Sequence, residues 1–555
     1  MADFNEIKTP DMDEPWSGQG LPPAVGKALL ALAGAVAVLV IPYLAAPVVP
    51  DAWPDVKERV AEYRVWLPED PIPFSKLFRT SRAKASEVAH GKGNPDPSSA
   101  PPVEVAGAVD PEVAPVAIDP IAVDPVVDVK PDADAKGGDV AAAPEADAKT
   151  GPAKVEPTAA IARIHIPAAA WEGLATFIED PNGAMKPFYD KLAQVALKEP
   201  NAVVRISHFG DSAIAADGMP SAARRLLQKT FGDGGHGFSL VAASNNWYRR
   251  KDVIWSTSGF QTETYIQDNA KDRRYGFGGT AAIGYAGAKA SWKTVEGPEG
   301  TVGTKASRFV VSFLAQKGGG RIAVNVDGEE KQVIDTEAAT PEDRQVVVEV
   351  PDAAHTFELK NAGGGKIKVY GVALERASGV VYDGLGTIGA RDSRWVNVDP
   401  DHARAAFASR GVDLAVFMYG GNQLEDKISM ARYQEMLTEV VKLWKSALVG
   451  KSCLLMSSID HGERYRGRVR TVPRLTEIMK VQREVALAEG CAWFSLYDAM
   501  GGPGTIGTWF DTGLAEGDLA HPTAKGAIVL GQLFYKALMQ GFAGYIEARK
   551  AETPK

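Results

Sequence analysis

Between about residues 246 and 376 the chain reads FVVSFLAQ, GRIAVNVDG, RQVVVEV, HTFELKN and KIKVYGVALE, short apolar runs cut by Gly and Asp turns. No helical period interrupts them, which predicts a β-sandwich. On either side the texture differs. Before it, IPAAAWEGLATFIEDPNGAMKPFYDKLAQVALKEPNA reads as helix with loop, and VVRISHFGDS as a strand that ends in a turn. After Gly411, the apolar runs VDLAVFMYGG, CLLMSS and CAWFSLYDA alternate with the helical patterns KISMARYQEMLTEVVKLWKSAL and PRLTEIMKVQREVALAEG, Gly490 being placed to end the second. The last helix, AKGAIVLGQLFYKALMQGF, puts Leu530, Phe534 and Leu538 on one stripe. Strand-helix alternation predicts a parallel sheet with helices on both faces. An all-β unit inside such a domain is an insertion. Residues 159–245 and 377–545 are therefore expected to pair as the halves of one three-layer α/β/α domain. The insert, 246–376, is expected to fold as its own unit, and 546–555 to be a tail.

The N-terminal third reads otherwise. Residues 1–27 are polar and acidic, and from Ala28 to Pro50 there is no charged residue. A helix needs about 20 apolar residues to cross the hydrocarbon core, so 28–50 is expected to be a membrane anchor, with a kink at Pro42 that such helices tolerate. A cleaved signal peptide would want a basic start and a small-residue site. Here the start is acidic and the site near Ala46 is poor. Lys57, Arg59, Arg64, Lys76 and Arg79 follow the run in the membrane-proximal segment 51–85, whereas Lys8 and Lys27 precede it. That count alone would keep the large domain cytoplasmic, but long domains translocate regardless of charge. Residues 86–158, rich in Ala, Val, Pro and Asp and free of aromatics, cannot bury enough surface to fold and are expected to form an extended spacer. The domain is expected outside the cytoplasm.

With 61 basic and 70 acidic residues, a net charge of −9 and no dense basic block, nucleic acid is not an expected partner. No C-x-x-C or H-E-x-x-H motif occurs, so neither metal nor cofactor is expected. Cys453 and Cys491 each open an apolar run. They read as packed thiols or, if their strands are neighbours in an oxidising compartment, as a disulfide. The sequence leaves the oligomeric state open.

A serine hydroxyl attacks well only when a base takes its proton and a third group orients that base. F-G-D-S at 209–212 puts Ser212 at a strand-to-loop turn, a weak signal alone because turns favour these residues. G-D-L-A-H-P-T at 517–523 is more specific. Asp518, three residues before His521, can accept its Nδ1–H and leave Nε2 facing a nucleophile, and Pro522 fixes where the final helix begins. Asp399-Pro-Asp-His402 has the same spacing, but Asp399 reads as a helix cap with Pro400 at the first position, leaving His402 exposed on the first turn. His461, in the loop DHGERYRGR, is a weaker candidate for a substrate contact, and His208 reads as a packed strand residue.

F-G-D-S, G-T-I-G-A at 386–390, G-G-N-Q at 420–423 and D-L-A-H at 518–521 resemble, in order, the four blocks of the SGNH/GDSL hydrolases. RISHFGDSAIAAD and YDGLGTIGARDSRW are similar to the branch containing bacterial peptidoglycan O-acetylesterases, which also carries a carbohydrate-binding-like β-domain between the first two blocks. The resemblance covers about 160–545. It implies Ser212 as nucleophile, His521 as base and Asp518 as its orienting group. It also implies an oxyanion hole of the Ser212 N–H, the Gly389 N–H and the Asn422 amide, with Gly386 serving the turn. The family often has Asp or Glu after its Asn, where this chain has Gln423. The implied activity is removal of O-acetyl groups from cell-wall or other extracytoplasmic polysaccharide. A transferase using the same triad, or an idle glycan-binding protein, are the rival readings. Trp247, Tyr248, Trp255, Tyr275, Phe277 and Trp292 in the insert either stack on sugars or fill its core.

Overall fold

Five strands, Gly379–Gly386, Val203–Gly210, Leu414–Met418, Ser452–Met456 and Ala492–Phe494, lie side by side in that order and all run parallel. The computed structural model describes residues 160–243, 245, 247–295 and 302–552, together with short strands at 103–105 and 122–123. The strands are apolar because both faces are covered, and alternate residues serve opposite faces. Phe209, Phe417, Leu455 and Trp493 enter one core with the helices Pro400–Arg410, Met430–Ala447 and Pro473–Ala488. Ile206, Val416, Leu454 and Phe494 enter the other, with Lys186–Ala196, Gly218–Phe231 and Ala524–Glu552. Leu530, Phe534 and Leu538 are fully buried on that last helix. Leu454 pairs with Ala492, so the residues just before them face each other. Of the two states the sequence leaves open for Cys453 and Cys491, the structure has the disulfide, with Cα atoms 4.8 Å apart.

The insert departs from the expected pair of stacked sheets. It is one antiparallel sheet curled nearly into a barrel. Thr280–Thr294 pairs with Val253–Thr264 along its length, with Thr356–Asn361 through its second half and with Ile367–Glu375 through its first. A strand shared in this way turns the sheet over on itself. The bend sits where the register slips between Ser258 and Phe260, at Gly259 with φ +74°, a bulge that only a small residue accommodates cheaply.

Nor does the insert stand free. Gly237–Ser239, from the first half of the α/β domain, pairs with Ile367–Glu375. Phe277 of the insert packs edge-on against Phe209 and Phe407, with ring centroids 5.3 and 5.1 Å away. Glu375, where the insert ends, accepts from Arg205 at 2.9 and 2.7 Å and from Arg410. Arg410 also bonds Asp383 at 2.9 and 2.8 Å. Burying such charges is tolerable only with this degree of pairing. The two parts share one hydrophobic core.

The spacer is likewise not wholly detached. Val103–Val105 pairs antiparallel with Val253–Thr264, and Ala122–Val123 with Ile164–His165. An edge strand offers unpaired backbone groups that such a segment can satisfy. The rest of 86–158, the expected anchor 28–50 and the flanking segments 1–27 and 51–85 lie outside the described residues. Among the described residues no helix is long and apolar enough to cross a membrane.

Candidate active site

The strand Val203–Gly210 ends one residue short of the one-turn helix Ser212–Ala215, and Asp211 caps that helix by accepting from the Ala213 N–H at 3.1 Å. Ser212 thus stands at the carboxyl end of a central strand. Ser212 Oγ lies 2.8 Å from His521 Nε2, and His521 Nδ1 lies 2.7 Å from Asp518 Oδ2. The bond to Asp518 fixes the proton on Nδ1 and leaves Nε2 to accept from the serine hydroxyl. Asp518 Oδ1 also accepts from the N–H groups of Ala520 and His521 at 2.9 and 3.1 Å, so the carboxylate closes its own turn. Within that turn Leu519 has φ +58°, a conformation costing about 1–2 kcal/mol in a non-glycine residue. It is held there by its N–H on the Glu516 carbonyl and by its own carbonyl, which accepts from Gly462 N–H at 2.8 Å.

Burial acts to raise the Asp518 carboxyl, but the bonds from His521 and Ala520 outweigh it and hold the group at about 2. The Asp518 bond raises His521 above its ordinary value against its partial burial, and the charges of Asp518, Asp211 and Glu516 add to the effect. The imidazolium that forms when His521 takes a proton is therefore stabilised.

Gly389 lies in the loop after Gly379–Gly386, exposed, at φ +75°, with nothing within 4 Å of where a Cβ would stand. Asn422 opens a 3-10 turn that follows Leu414–Met418. Its Nδ2 donates to the Ala390 carbonyl at 3.0 Å and to Asp211 Oδ2 at 3.4 Å. These bonds tie together the three loops that carry Ser212, Gly389 and Asn422. Among the described residues the N–H groups of Ser212 and Gly389 have no hydrogen-bond partner, so both are free to donate. The Asn422 amide is already engaged. Gly386 does not serve a turn, as expected from the resemblance; it is the last residue of its strand, and a Cβ there would lie 2.2 Å from Ala215 N. Its role is to let the helix of Ser212 approach.

Asp211 was not a sequence candidate, although it sits inside the G-D-S block. It is 5 % exposed, and burial pushes its carboxyl up to about 6. His402 corrects another expectation. It is buried, accepts from Gly276 N–H at 2.8 Å through Nε2 and meets Asp343 at 2.6 Å through Nδ1. The insert packs on the turn that the sequence leaves exposed, while Asp399 caps the helix as read. His208 is packed in its strand with Nδ1 2.9 Å from Tyr382 Oη. His461 lies 3.2 Å from Ser458 Oγ, is lowered to about 4 by burial and then by the charge of His521, and backs the Gly421–Asn422 turn. Gln423 is buried. Of the six aromatics, Tyr248, Trp255, Tyr275, Phe277 and Trp292 fill the core, whereas Trp247 is 65 % exposed. Among the described residues no cluster of His, Cys, Asp or Glu could hold a metal ion.

No protein-family model and no curated protein matches the chain. Solved structures do. The chain superposes on a peptidoglycan O-acetylesterase with a TM-score of 0.57 at 23% identity, covering 66% of this chain and 99% of that one. The fold is that of an SGNH/GDSL hydrolase. A lipase/acylhydrolase from Enterococcus faecalis (20% identity, 30% and 78% covered, TM-score 0.23) and a family two carbohydrate esterase from Cellvibrio japonicus (12%, 52% and 98%, 0.23) match far more loosely. In this chain the loops that carry the first three blocks follow the carboxyl ends of Val203–Gly210, Gly379–Gly386 and Leu414–Met418, and the fourth precedes the final helix.

Proposed function

We propose that this chain is a serine esterase that removes O-acetyl groups from polysaccharide, with Ser212, His521 and Asp518 as its triad. The carrying observation is the continuous relay from Ser212 Oγ through both ring nitrogens of His521 to Asp518, at 2.8 and 2.7 Å. Ser212 Oγ attacks the acetyl carbonyl carbon while His521 Nε2 takes its proton. The oxyanion is met by the Ser212 and Gly389 N–H groups, each such donor being worth about 2.7–4 kcal/mol. Asn422 joins them when its amide is released from Ala390. The C–O bond to the sugar then breaks, the departing oxygen takes the proton from His521, and water repeats the sequence on acetyl-Ser212. The fold shared with a peptidoglycan O-acetylesterase supports a cell-wall glycan as substrate. The Cys453–Cys491 disulfide and the uncharged run at 28–50 support a membrane-anchored domain in an oxidising compartment outside the cytoplasm.

The test is turnover of p-nitrophenyl acetate by wild type and by Ser212→Ala. The variant should stay folded and lose several orders of magnitude in kcat. A variant that keeps more than a tenth of wild-type kcat removes Ser212 from its role.

A further inference from the structure

A two-stranded hairpin, Gly462–Tyr465 with Arg468–Thr471, stands beside the triad and takes no part in the chemistry above. It is fastened there by the 2.8 Å bond from Gly462 N–H to the carbonyl of Leu519, between Asp518 and His521. Its sequence, RYRGRVR at 464–470, holds four exposed arginines in a chain whose net charge is −9. Arg470 is neutralised by Glu463. Among the described residues Arg464, Arg466 and Arg468 have no carboxylate partner. Two of them are braced on aromatic faces instead, Arg464 at 5.7 Å from the Phe510 ring and Arg466 at 5.1 Å from the Tyr465 ring, contacts that orient the charge without cancelling it. Arg466 also occupies the first position of a two-residue turn at φ +49°, followed by Gly467 at +79°. Asn or Gly would adopt that conformation more cheaply.

We propose that this hairpin is a binding surface for a glycan bearing carboxylates, one that holds the anionic chain while the neighbouring ester is cleaved. This rests on the esterase reading for the position of the ester. Guanidinium groups in a fixed array match carboxylates in geometry as well as charge, and Tyr465, with Arg466 at 5.1 Å and Arg470 at 3.9 Å from its ring, helps to hold that array in place.

Binding of the full chain carrying Ser212→Ala to polygalacturonate and to neutral xylan tests the proposal without turnover. Polygalacturonate should bind more tightly, and raising salt from about 0.05 to 0.5 M should erase the difference. Arg464→Gln/Arg466→Gln/Arg468→Gln should weaken polygalacturonate binding about tenfold relative to xylan, since each exposed charge pair contributes modestly. The single exposed change Arg468→Glu should act in the same direction. In the active chain, the kcat/KM ratio for acetylated polygalacturonate over acetylated xylan should fall in parallel. Equal binding of both polymers by the parent, equal losses on both in the variants, or displacement of polygalacturonate by an oligonucleotide of like charge would each overturn it. Absence of turnover by the chain with Ser212 intact, together with intact charge-selective binding, would instead refute the esterase reading alone.

Discussion

Replacing Gly386 by alanine should cripple the site without altering any group that handles substrate. A Cβ there would lie 2.2 Å from Ala215 N, 2.5 Å from Ile214 C and 2.6 Å from Ala215 Cα. All three are backbone atoms of the helix that begins at Ser212, so no rotamer change relieves the contact. Non-bonded atoms settle at about 3.5 Å, and the helix must therefore withdraw by about 1 Å. A displacement of that size at reacting groups costs about 10²-fold in rate, because Ser212 Oγ leaves its 2.8 Å bond to His521. Overpacking adds about 1–3 kcal/mol of instability, visible as a lower Tm. Gly389→Ala is the informative comparison. Space there is open and only the φ of +75° objects, a cost of about 1–2 kcal/mol confined to an exposed loop. Initial rates on p-nitrophenyl acetate and thermal melting of both variants decide the matter. A Gly386→Ala protein with kcat within twofold of wild type and an unchanged Tm would refute the claim that this contact sets the position of Ser212.

The remaining predictions concern the histidines, pH and the insert. His521→Ala should abolish esterase activity, whereas His402→Ala should leave kcat near wild type and cost about 1–3 kcal/mol of stability, since it strands the buried Gly276 N–H; denaturant unfolding alongside kinetics separates the two. His521 must be neutral to act as base and its pKa is raised, so kcat/KM should rise with pH along a limb centred above 6.5. Asp211→Asn removes one of the charges that raise it, so the limb should move to lower pH, and an unmoved or upward-shifted limb would exclude that coupling. Replacing 247–375 by a Gly/Ser linker should yield aggregated or molten protein, because Phe277 and the Glu375 ion network belong to the shared core; a soluble, active deletion protein would reverse this.

Much of the site could be read from sequence because its blocks are local. Asp518 and His521 are three residues apart, and their turn is closed by bonds within those same residues. The apolar runs at 414–418, 452–456 and 492–494 announced strands covered on both faces, since such strands carry no polar alternation. What the sequence does not carry is the identity of partners across the fold. His402 looked exposed because its own helix leaves that turn bare, and only the insert brings Gly276 and Asp343 onto it. Gly386 and Gly389 are both glycines of one G-x-x-G pair, yet one is demanded by a backbone 2.2 Å away and the other by its own φ. Nothing in a residue name separates those reasons.

The insert shows the same principle on a larger scale. Its strands could be counted from Gly and Asp turns, but whether it is a satellite or a wall depends on which aromatics face outward, and period-2 patterning does not say what lies beyond the face. Phe277 reaches Phe209, the residue three before Ser212, and Phe407 on the neighbouring helix. Near the start of the insert, the Arg249 N–H donates to the Ala215 carbonyl at 3.2 Å, and Asp217, two residues on, accepts from Arg250. The insert thus meets the helix of Ser212 at its end, through Ala215, and the strand beneath it through Phe209. If the proposed triad is correct, a domain attached that way would act through rigidity, by keeping Ser212 within its 2.8 Å reach of His521. Any contribution to holding a polymer then falls to surfaces the core does not use, such as exposed Trp247 and the arginine hairpin fastened to the Asp518–His521 turn.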